Sequence, residues 1–382
     1  MPELIYLDNN ATTRVADEVA AAMTPFYRDF YGNPHAIHSL GRRAHDAVED
    51  ARADLAGLLG CSASEVIFTS CGTEGNAMVI RGLLDRHPER RKIVTTSVEH
   101  PSVLTLLRAI ERAQIIELAI VPVDREGVID LDRMAAEIDD ETLLVSVMLA
   151  QNETGVIHPV ARIAEMAHAR GAHMHVDAVQ AAGKIAVSQR ELGADFVTIS
   201  GHKFHAPKGI GAMTIRQGIA LQPLWYGGGQ ELGMRSGTEP VPAIVGLAAA
   251  ARLAREALPS YDRVRALRDR LESGIRARID DTSVNGATQP RLGNTASIAF
   301  HDTKADEIVR ALDAEGICVS AGAACHSGSV EPSATMKAMG KPLREAMGVV
   351  RFSLSRYTTE AEIDRAIDAA CSVIKRSYIP AS

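Results

Sequence analysis

The sequence lacks several features that would point to common functional classes. Its five cysteines stand at irregular spacings with no CxxC pair, which argues against a zinc ribbon and a thioredoxin-like motif. No run of lysine and arginine stands out in a chain of net charge −7, so no nucleic-acid partner is expected. No segment reaches the roughly 18 apolar residues that a membrane span needs. The amino terminus lacks the basic and apolar regions of an export signal, so we expect a cytoplasmic protein with no membrane partner.

Two nucleotide-binding motifs are missing as well, because neither GxxxxGK nor GxGxxG occurs anywhere. What is present is an ordinary globular composition, 46% hydrophobic and 23% charged. The chain has 382 residues, more than one hydrophobic core usually fills. We therefore expect two domains.

Short β-rich segments alternate with helical patterns through the first part of the chain. The segments lie at 66–70, 92–97, 116–123, 142–149, 173–179, 196–200 and 211–216. Such alternation predicts an α/β domain with a mostly parallel, seven-stranded sheet covered on both faces. From residue 242 a helical stretch reaches about residue 280, and a smaller α+β pattern follows. We expect a large domain of residues 14–255 and a small domain formed by residues 1–13 and 256–382.

Lys203 stands directly after a predicted strand, in the segment SGHKFHAPKG (200–209). Open α/β sheets bind their ligands at the carboxyl ends of parallel strands. A lysine that is desolvated there has a lowered pKa and can attack a carbonyl group to form a Schiff base. A lone lysine in a loop is more often simply solvated, so this interpretation depends on the residues around it.

Asp177 ends another apolar strand, where an unpaired buried carboxylate is costly. A pyridoxal ring needs such an acidic partner for its pyridinium nitrogen. A second interpretation is a metal site, because His173, His175 and Asp177 alternate on one strand face, with His202 and His205 to complete it. No HExxH or comparable spacing supports the metal, so we favour the first.

A glycine-rich segment, TSCGTEGN (69–76), joins a strand to a helix. The backbone N–H groups of such a helix start, together with a hydroxyl group, can cradle a phosphate. A second glycine-rich loop, GGGQE (227–231), precedes RSGT (235–238). Strand–turn–helix junctions are common without any ligand, so this signal is weak alone.

Cys325 is surrounded by small residues in SAGAACHSGS (320–329), which the pattern predicts as an exposed, mobile loop. An accessible cysteine beside a histidine favours the reactive thiolate. Alone, such a cysteine is more often structural than catalytic.

Taken together, these segments resemble the cysteine desulfurases of the NifS/IscS type, which are fold-type I pyridoxal-phosphate enzymes. The resemblance covers nearly the whole chain, in order and spacing. The segments that carry it are DNNATT (8–13), TSCGTE (69–74), EH (99–100), NETG (152–155), HVDAVQ (175–180), SGHKFHAPKG (200–209), GGGQE (227–231), RSGT (235–238), SAGAACHSG (320–328) and RFSLS (351–355).

The resemblance implies a role for particular residues. Lys203 binds pyridoxal 5'-phosphate covalently, and Cys325 receives sulfur from L-cysteine as a persulfide. His100 stacks over the ring and helps with proton transfers. The residues implied to hold the cofactor are Gly72, Thr73, Asp177, Gln180, Ser200, His202 and Thr238, and those implied to bind the substrate are Asn152 and Arg351.

The resemblance also implies partners. Thr238 reaches the phosphate of a partner subunit, which implies a homodimer with shared active sites. The sulfur passes to an iron–sulfur scaffold or another acceptor protein, with no resident metal and Cys325 as a candidate transient iron–sulfur ligand. The alternatives are a selenocysteine lyase, an aminotransferase, or a non-enzymatic scaffold that uses Cys325 as a ligand.

Overall fold

The computed structural model describes the backbone of residues 4–322, 325–326 and 329–377, and the side chains of residues 4–322 and 331–375. The strands are β1 (Ile5–Tyr6), β2 (Val66–Thr69), β3 (Lys92–Thr96), β4 (Glu117–Val121), β5 (Thr142–Met148), β6 (His173–Asp177), β7 (Phe196–Ser200), β8 (Gly211–Ile215), β9 (Thr282–Val284), β10 (Thr295–Phe300), β11 (Ile317–Cys318), β12 (Ser320–Ala321), β13 (Cys325–His326), β14 (Ser329–Val330) and β15 (Val349–Ser353). The helices are α1 (Asp17–Arg28), α2 (Ser39–Leu59), α3 (Gly72–Arg86), α4 (Pro101–Arg112), α5 (Leu131–Glu137), α6 (Val160–Ala169), α7 (Val241–Ala257), α8 (Tyr261–Arg276), α9 (Ala305–Ala314), α10 (Ala334–Ala338), α11 (Leu343–Ala346) and α12 (Glu360–Ser377).

A seven-stranded sheet has the order β2-β8-β7-β6-β5-β3-β4. Its strands from β4 to β7 pair in parallel, and only β8 runs against its two neighbours. The central strands β5 and β7 are buried along their whole length, because helices cover both faces of the sheet. The expected α/β architecture with a mostly parallel, seven-stranded sheet is therefore confirmed.

A second, four-stranded sheet has the order β12-β15-β10-β9 and is antiparallel. It has its own hydrophobic cluster, in which Leu271 of α8 and Phe352 of β15 pack with Ile5 and Leu7 near the amino terminus. Helix α7, by contrast, belongs to the cluster on one face of the large sheet. We propose on this basis that residues 14–255 form one domain, and that residues 1–13 and 256–382 form the other.

The helical stretch expected from residue 242 to about residue 280 is two helices. Helix α7 ends at Ala257 and α8 begins at Tyr261, with a short 3-10 turn, Leu258–Ser260, between them. Pro259 explains the break, since proline cannot donate a backbone hydrogen bond within a helix. At the other end of the domain, Thr359 and Glu362 form a capping interaction at the start of α12.

In the part of the chain that the structure describes, no helix is both long and apolar enough to cross a membrane.

Candidate active site

A cavity of about 190 Å³ opens where the neighbouring parallel strands β6 and β7 end, beside the first turn of α3. This position follows from the topology, because the carboxyl ends of parallel strands meet at one edge of the sheet. Most of the residues singled out from the sequence line the cavity: Gly72, Thr73, His100, Asn152, Asp177, Gln180, Ser200, His202 and Lys203.

Lys203 lies in a 3-10 turn, Gly201–Lys203, directly after β7. Its Nζ donates hydrogen bonds to the backbone carbonyl of Asn10 at 2.7 Å and to that of Ala11 at 2.9 Å. Burial, together with the positive charge of Arg351, lowers the pKa of this amine from 10.5 to about 8. A lysine with this pKa has a usable fraction of neutral, nucleophilic amine near neutral pH.

Asp177 ends β6 and is buried. Its Oδ2 accepts a hydrogen bond from Nδ2 of Asn76 on α3 at 2.8 Å, and its Oδ1 accepts from the backbone N–H of Val179 at 3.0 Å. Helix α3 comes this close to the sheet because Gly75 has no side chain: a Cβ there would lie 2.7 Å from Cγ2 of Thr198. The result is a buried carboxylate fixed at the cavity wall, which suits a protonated ring nitrogen.

His100 caps the start of α4 and lies at the cavity opening. The backbone N–H of Ser102 donates to its Nδ1 at 3.1 Å, and the Ser102 hydroxyl lies 2.8 Å from the same atom. Because Nδ1 accepts, the proton of the neutral ring is on Nε2. Burial lowers the pKa of His100, with Asp177 opposing and Lys203 adding to the shift, so the neutral ring is favoured.

The start of α3 forms a candidate phosphate cradle. The hydroxyl of Ser200 is buried and has no hydrogen-bond partner, although buried hydroxyl groups are normally paired. It lines the cavity beside Gly72, where a Cβ would come within 2.6 Å of Cγ2 of Val179. The ring of His202 contacts Thr12 through Nδ1, and burial lowers its pKa to about 4, so it is neutral. An unpaired hydroxyl at a helix start fits a phosphate group.

Arg351, on β15, brings the second sheet to the edge of the cavity. Its Nη1 donates to the backbone carbonyl of Asn152 at 3.1 Å, and its Nη2 donates to Oδ1 of Asp8 at 2.7 Å. Its Nε is buried without a partner. A planar guanidinium with a free donor is well suited to a carboxylate of the substrate.

The sequence interpretation gave no role to the individual residues of the segment DNNATT (8–13), yet this segment holds the site together. Asn10 accepts from Lys203 through its backbone carbonyl, and its Nδ2 donates to the carbonyl of Asn152. Thr13 fixes the other end of the lysine loop by accepting from the backbone N–H of His205, whose φ is +75°. Uncharged side chains such as these carry little signal in a single sequence.

Three of the expected site residues are not among the described residues that line the cavity: Arg351, Thr238 and Cys325. Thr238 lines a separate surface depression with Trp225, Tyr226 and neighbouring loop residues. The backbone of Cys325 pairs with Val330 across β13 and β14, while its side chain and the expected mobility of its loop lie outside the described residues.

The metal alternative finds no support in the side-chain contacts of β6. The ring of His175 is fully buried between the hydroxyl groups of Ser146 at 2.8 Å and Thr198 at 3.0 Å. His173 turns toward Asp195 instead. Among the side chains that the structure describes, no group of three or more histidine, cysteine or acidic residues could hold a metal ion.

Comparisons with known proteins agree with this site. Residues 5–366 match the family described as aminotransferase class-V. A protein of Trichormus variabilis named "Cysteine desulfurase 2" is 48% identical over 98% of this chain and 94% of its own length. A solved structure titled "NifS-like protein" superposes with a TM-score of 0.92 at 37% identity, covering 98% of this chain and 100% of its own. Another, titled "SspA in complex with cysteine", has a TM-score of 0.81 at 31% identity, covering 93% of this chain and 100% of its own. The chain therefore belongs to the class-V aminotransferase family, and within it to the cysteine desulfurases of the NifS type.

Proposed function

We propose that this chain is a pyridoxal-phosphate cysteine desulfurase that converts L-cysteine to L-alanine and leaves the sulfur as a persulfide on Cys325. The observation that carries the proposal is the cavity around Lys203, in which an amine of lowered pKa, a buried carboxylate and an unpaired hydroxyl meet. The relatives supply the reaction class, since they match almost the whole chain. They do not favour a selenocysteine lyase or an aminotransferase.

Pyridoxal phosphate, when bound, supplies an aldehyde that reacts with amines and a ring that withdraws electrons. Lys203 would hold this aldehyde, and its Nζ would then be the base that takes the proton from the substrate α-carbon. Asp177 would hold a proton on the ring nitrogen. Gly72, Thr73, Ser200 and His202 would hold the phosphate, and His100 would face the ring with its Nε2 proton available.

Arg351 orients the substrate by binding its carboxylate, and Asn152 lies beside it. Cys325 then attacks the substrate sulfur as a thiolate. The C–S bond of the substrate breaks, an S–S bond forms on Cys325, and the carbon takes up a proton, so that cysteine and one thiol give alanine and one persulfide. No external oxidant is required.

The decisive experiment is to incubate the purified protein with cysteine and a thiol reductant and to measure alanine and sulfide together. Equimolar amounts of the two are expected. Pyruvate in place of alanine, or no sulfide, would refute the proposal. A Lys203→Ala variant should lose both products and the visible absorption of the bound cofactor.

Cys325 decides which reaction takes place, and Cys71 offers a matched control, because it is a second thiol that lines the cavity. Cys325→Ser should keep the bound cofactor but lose sulfide production, whereas Cys71→Ser should keep most of both. An aminotransferase would not need Cys325. Sulfide release by Cys325→Ser at the parental rate would therefore contradict the mechanism.

We also propose that the enzyme is a cytoplasmic homodimer that passes sulfur to an iron–sulfur scaffold or another acceptor protein. Thr238 would reach the phosphate bound by the partner subunit. The exposure of Trp225, at 48%, and of Tyr226, at 79%, next to Thr238 supports a covered surface there. Sedimentation of the protein and of a Tyr226→Glu variant tests this, and an unchanged monomer in both would refute the shared site.

A further inference from the structure

Lys184 is a buried lysine that the mechanism above does not use. Only 4% of it is exposed, and it has no carboxylate within ion-pair distance among the side chains that the structure describes. Burying an ammonium group without a counter-ion is costly. Burial accordingly lowers the pKa of Lys184 well below 10.5, and the charges of Lys203 and Arg351 lower it further. A residue kept at this cost needs an explanation.

The contacts of Lys184 lead directly to the cavity. Its Nζ donates to Oε1 of Gln180 at 2.8 Å and to Oδ1 of Asn10 at 3.0 Å. Gln180 lines the cavity, and Asn10 holds Lys203 through its backbone carbonyl. Lys184 thus lies behind the two groups that form this wall of the cavity.

The backbone places Lys184 there by a turn that only glycine makes without strain. Gly183, the preceding residue, has φ of +76°, in the left-handed region. A Cβ at this position would lie 2.7 Å from Cβ of Phe204, which follows Lys203. The turn therefore packs against the lysine loop and directs Lys184 inward.

Lys184 has a physical consequence for the orientation of Gln180. A side-chain amide has an oxygen that only accepts and a nitrogen that only donates. Because Lys184 donates to Oε1, the NH₂ group of Gln180 must face the other way, where it donates to the backbone carbonyl of Asn10 at 2.9 Å. The second N–H of Gln180 then has no acceptor among the described residues and lies at the cavity wall. Both the charged and the neutral amine of Lys184 donate, so the orientation of Gln180 is the same in either state.

We propose that Lys184 is a positioning residue: it fixes the amide of Gln180 with its N–H toward the cavity, so that this N–H donates to the ring oxygen of pyridoxal phosphate. The proposal rests on the proposed role of Gln180 toward the cofactor. It does not depend on which reaction the cofactor then performs.

The test measures cofactor affinity rather than turnover. Purified holoenzyme is dialysed against a series of pyridoxal-phosphate concentrations, and the retained visible absorption gives the dissociation constant. Lys184→Met keeps the length of the side chain and removes its donors, and it should raise the dissociation constant about three- to tenfold, the value of one hydrogen bond. Lys341→Met is the matched control, because Lys341 has a side chain only 8% exposed but is paired, at 3.9 Å, with Glu126. It should leave the affinity unchanged.

A double-mutant cycle separates positioning from general packing. If Lys184 acts through Gln180, then Gln180→Ala combined with Lys184→Met should weaken binding no more than the stronger single variant. Both single variants should also change the visible absorption of the bound cofactor in the same direction. Effects that multiply in the double variant, or an unchanged affinity in Lys184→Met, would overturn the proposal.

Lys184→Gln provides the same cycle if Lys184→Met does not fold, because glutamine is polar and retains a donor in the buried position. A folded Lys184→Gln variant keeps the parental cofactor affinity only if its amide replaces the lysine as donor to Gln180. In that case Lys184→Leu, which has no donor, must show the weaker cofactor binding. Parental affinity in both variants overturns the proposal. If cofactor affinity depends on Lys184 through Gln180 but the protein makes no sulfide, the desulfurase proposal is refuted and the role of Lys184 stands. Sulfide production in a protein whose cofactor affinity does not depend on Lys184 would support the desulfurase and refute the role of Lys184.

Discussion

The amine of Lys203 should titrate far below an ordinary lysine, and two substitutions should move it in opposite directions. Burial and the charge of Arg351, opposed by Asp177 and Asp8, lower its pKa from 10.5 to about 8. At pH 7 a pKa of 8 leaves about one amine in ten neutral, roughly 300 times the fraction at a pKa of 10.5. The cofactor-free protein should therefore react at Lys203 near neutral pH, where exposed lysines hardly react.

The assay is trace acylation of the cofactor-free protein, because the acylation rate of an amine follows its neutral fraction. Peptide mass spectrometry gives the initial rate at Lys203 between about pH 6 and pH 11. The midpoint is expected at about 8. A midpoint near that of the exposed lysines would refute the electrostatic description of the site.

Two charge substitutions test the cause of the shift. Arg351→Gln removes a positive charge and leaves Asp8 unopposed, so it should raise the pKa of Lys203. Asp8→Asn removes a negative charge and frees the guanidinium, so it should lower the pKa. Arg310→Gln is the control, because Arg310 is 72% exposed and pairs with Asp306 on α9. Shifts in the same direction for Arg351→Gln and Asp8→Asn would contradict the reasoning.

Two further predictions concern stability. His158 is buried with both ring nitrogens unpaired, so His158→Phe should raise the free energy of unfolding by about 1 kcal/mol at pH 7 in urea titrations. Burial lowers the pKa of His158 from 6.5 to about 4, so the folded protein resists protonation and loses stability as the pH falls through that window. The advantage of the variant should grow over the same window, and parallel pH curves for the two proteins would contradict this. Arg52 forms a buried bidentate pair with Glu231, at 2.9 Å for both hydrogen bonds. Glu231→Gln should cost about 3 kcal/mol, since it leaves a buried charge unpaired, whereas Glu49→Gln, at the half-exposed partner of the same arginine, should cost less than about 1 kcal/mol.

The sequence by itself determined the sheet and one edge of the site. Apolar segments that alternate with helical patterns predict a covered parallel sheet, because such strands must be buried on both faces. Lys203 and Asp177 each follow or end such a segment, and parallel strands bring their carboxyl ends together. The spacing of local signals was therefore enough to place these two residues side by side.

Only the tertiary structure decided how the rest of the site is joined. Asp8 and Arg351 meet although 343 positions separate them, and no local pattern carries that contact. No local sequence signal marks Lys184 as buried, and it is buried because Gly183 turns the chain against Phe204. The family resemblance implies that both Thr238 and Ser200 hold the cofactor, but Thr238 lines a depression different from the cavity that Ser200 lines. These outcomes depend on how distant segments pack, which the order of residues along the chain does not express locally.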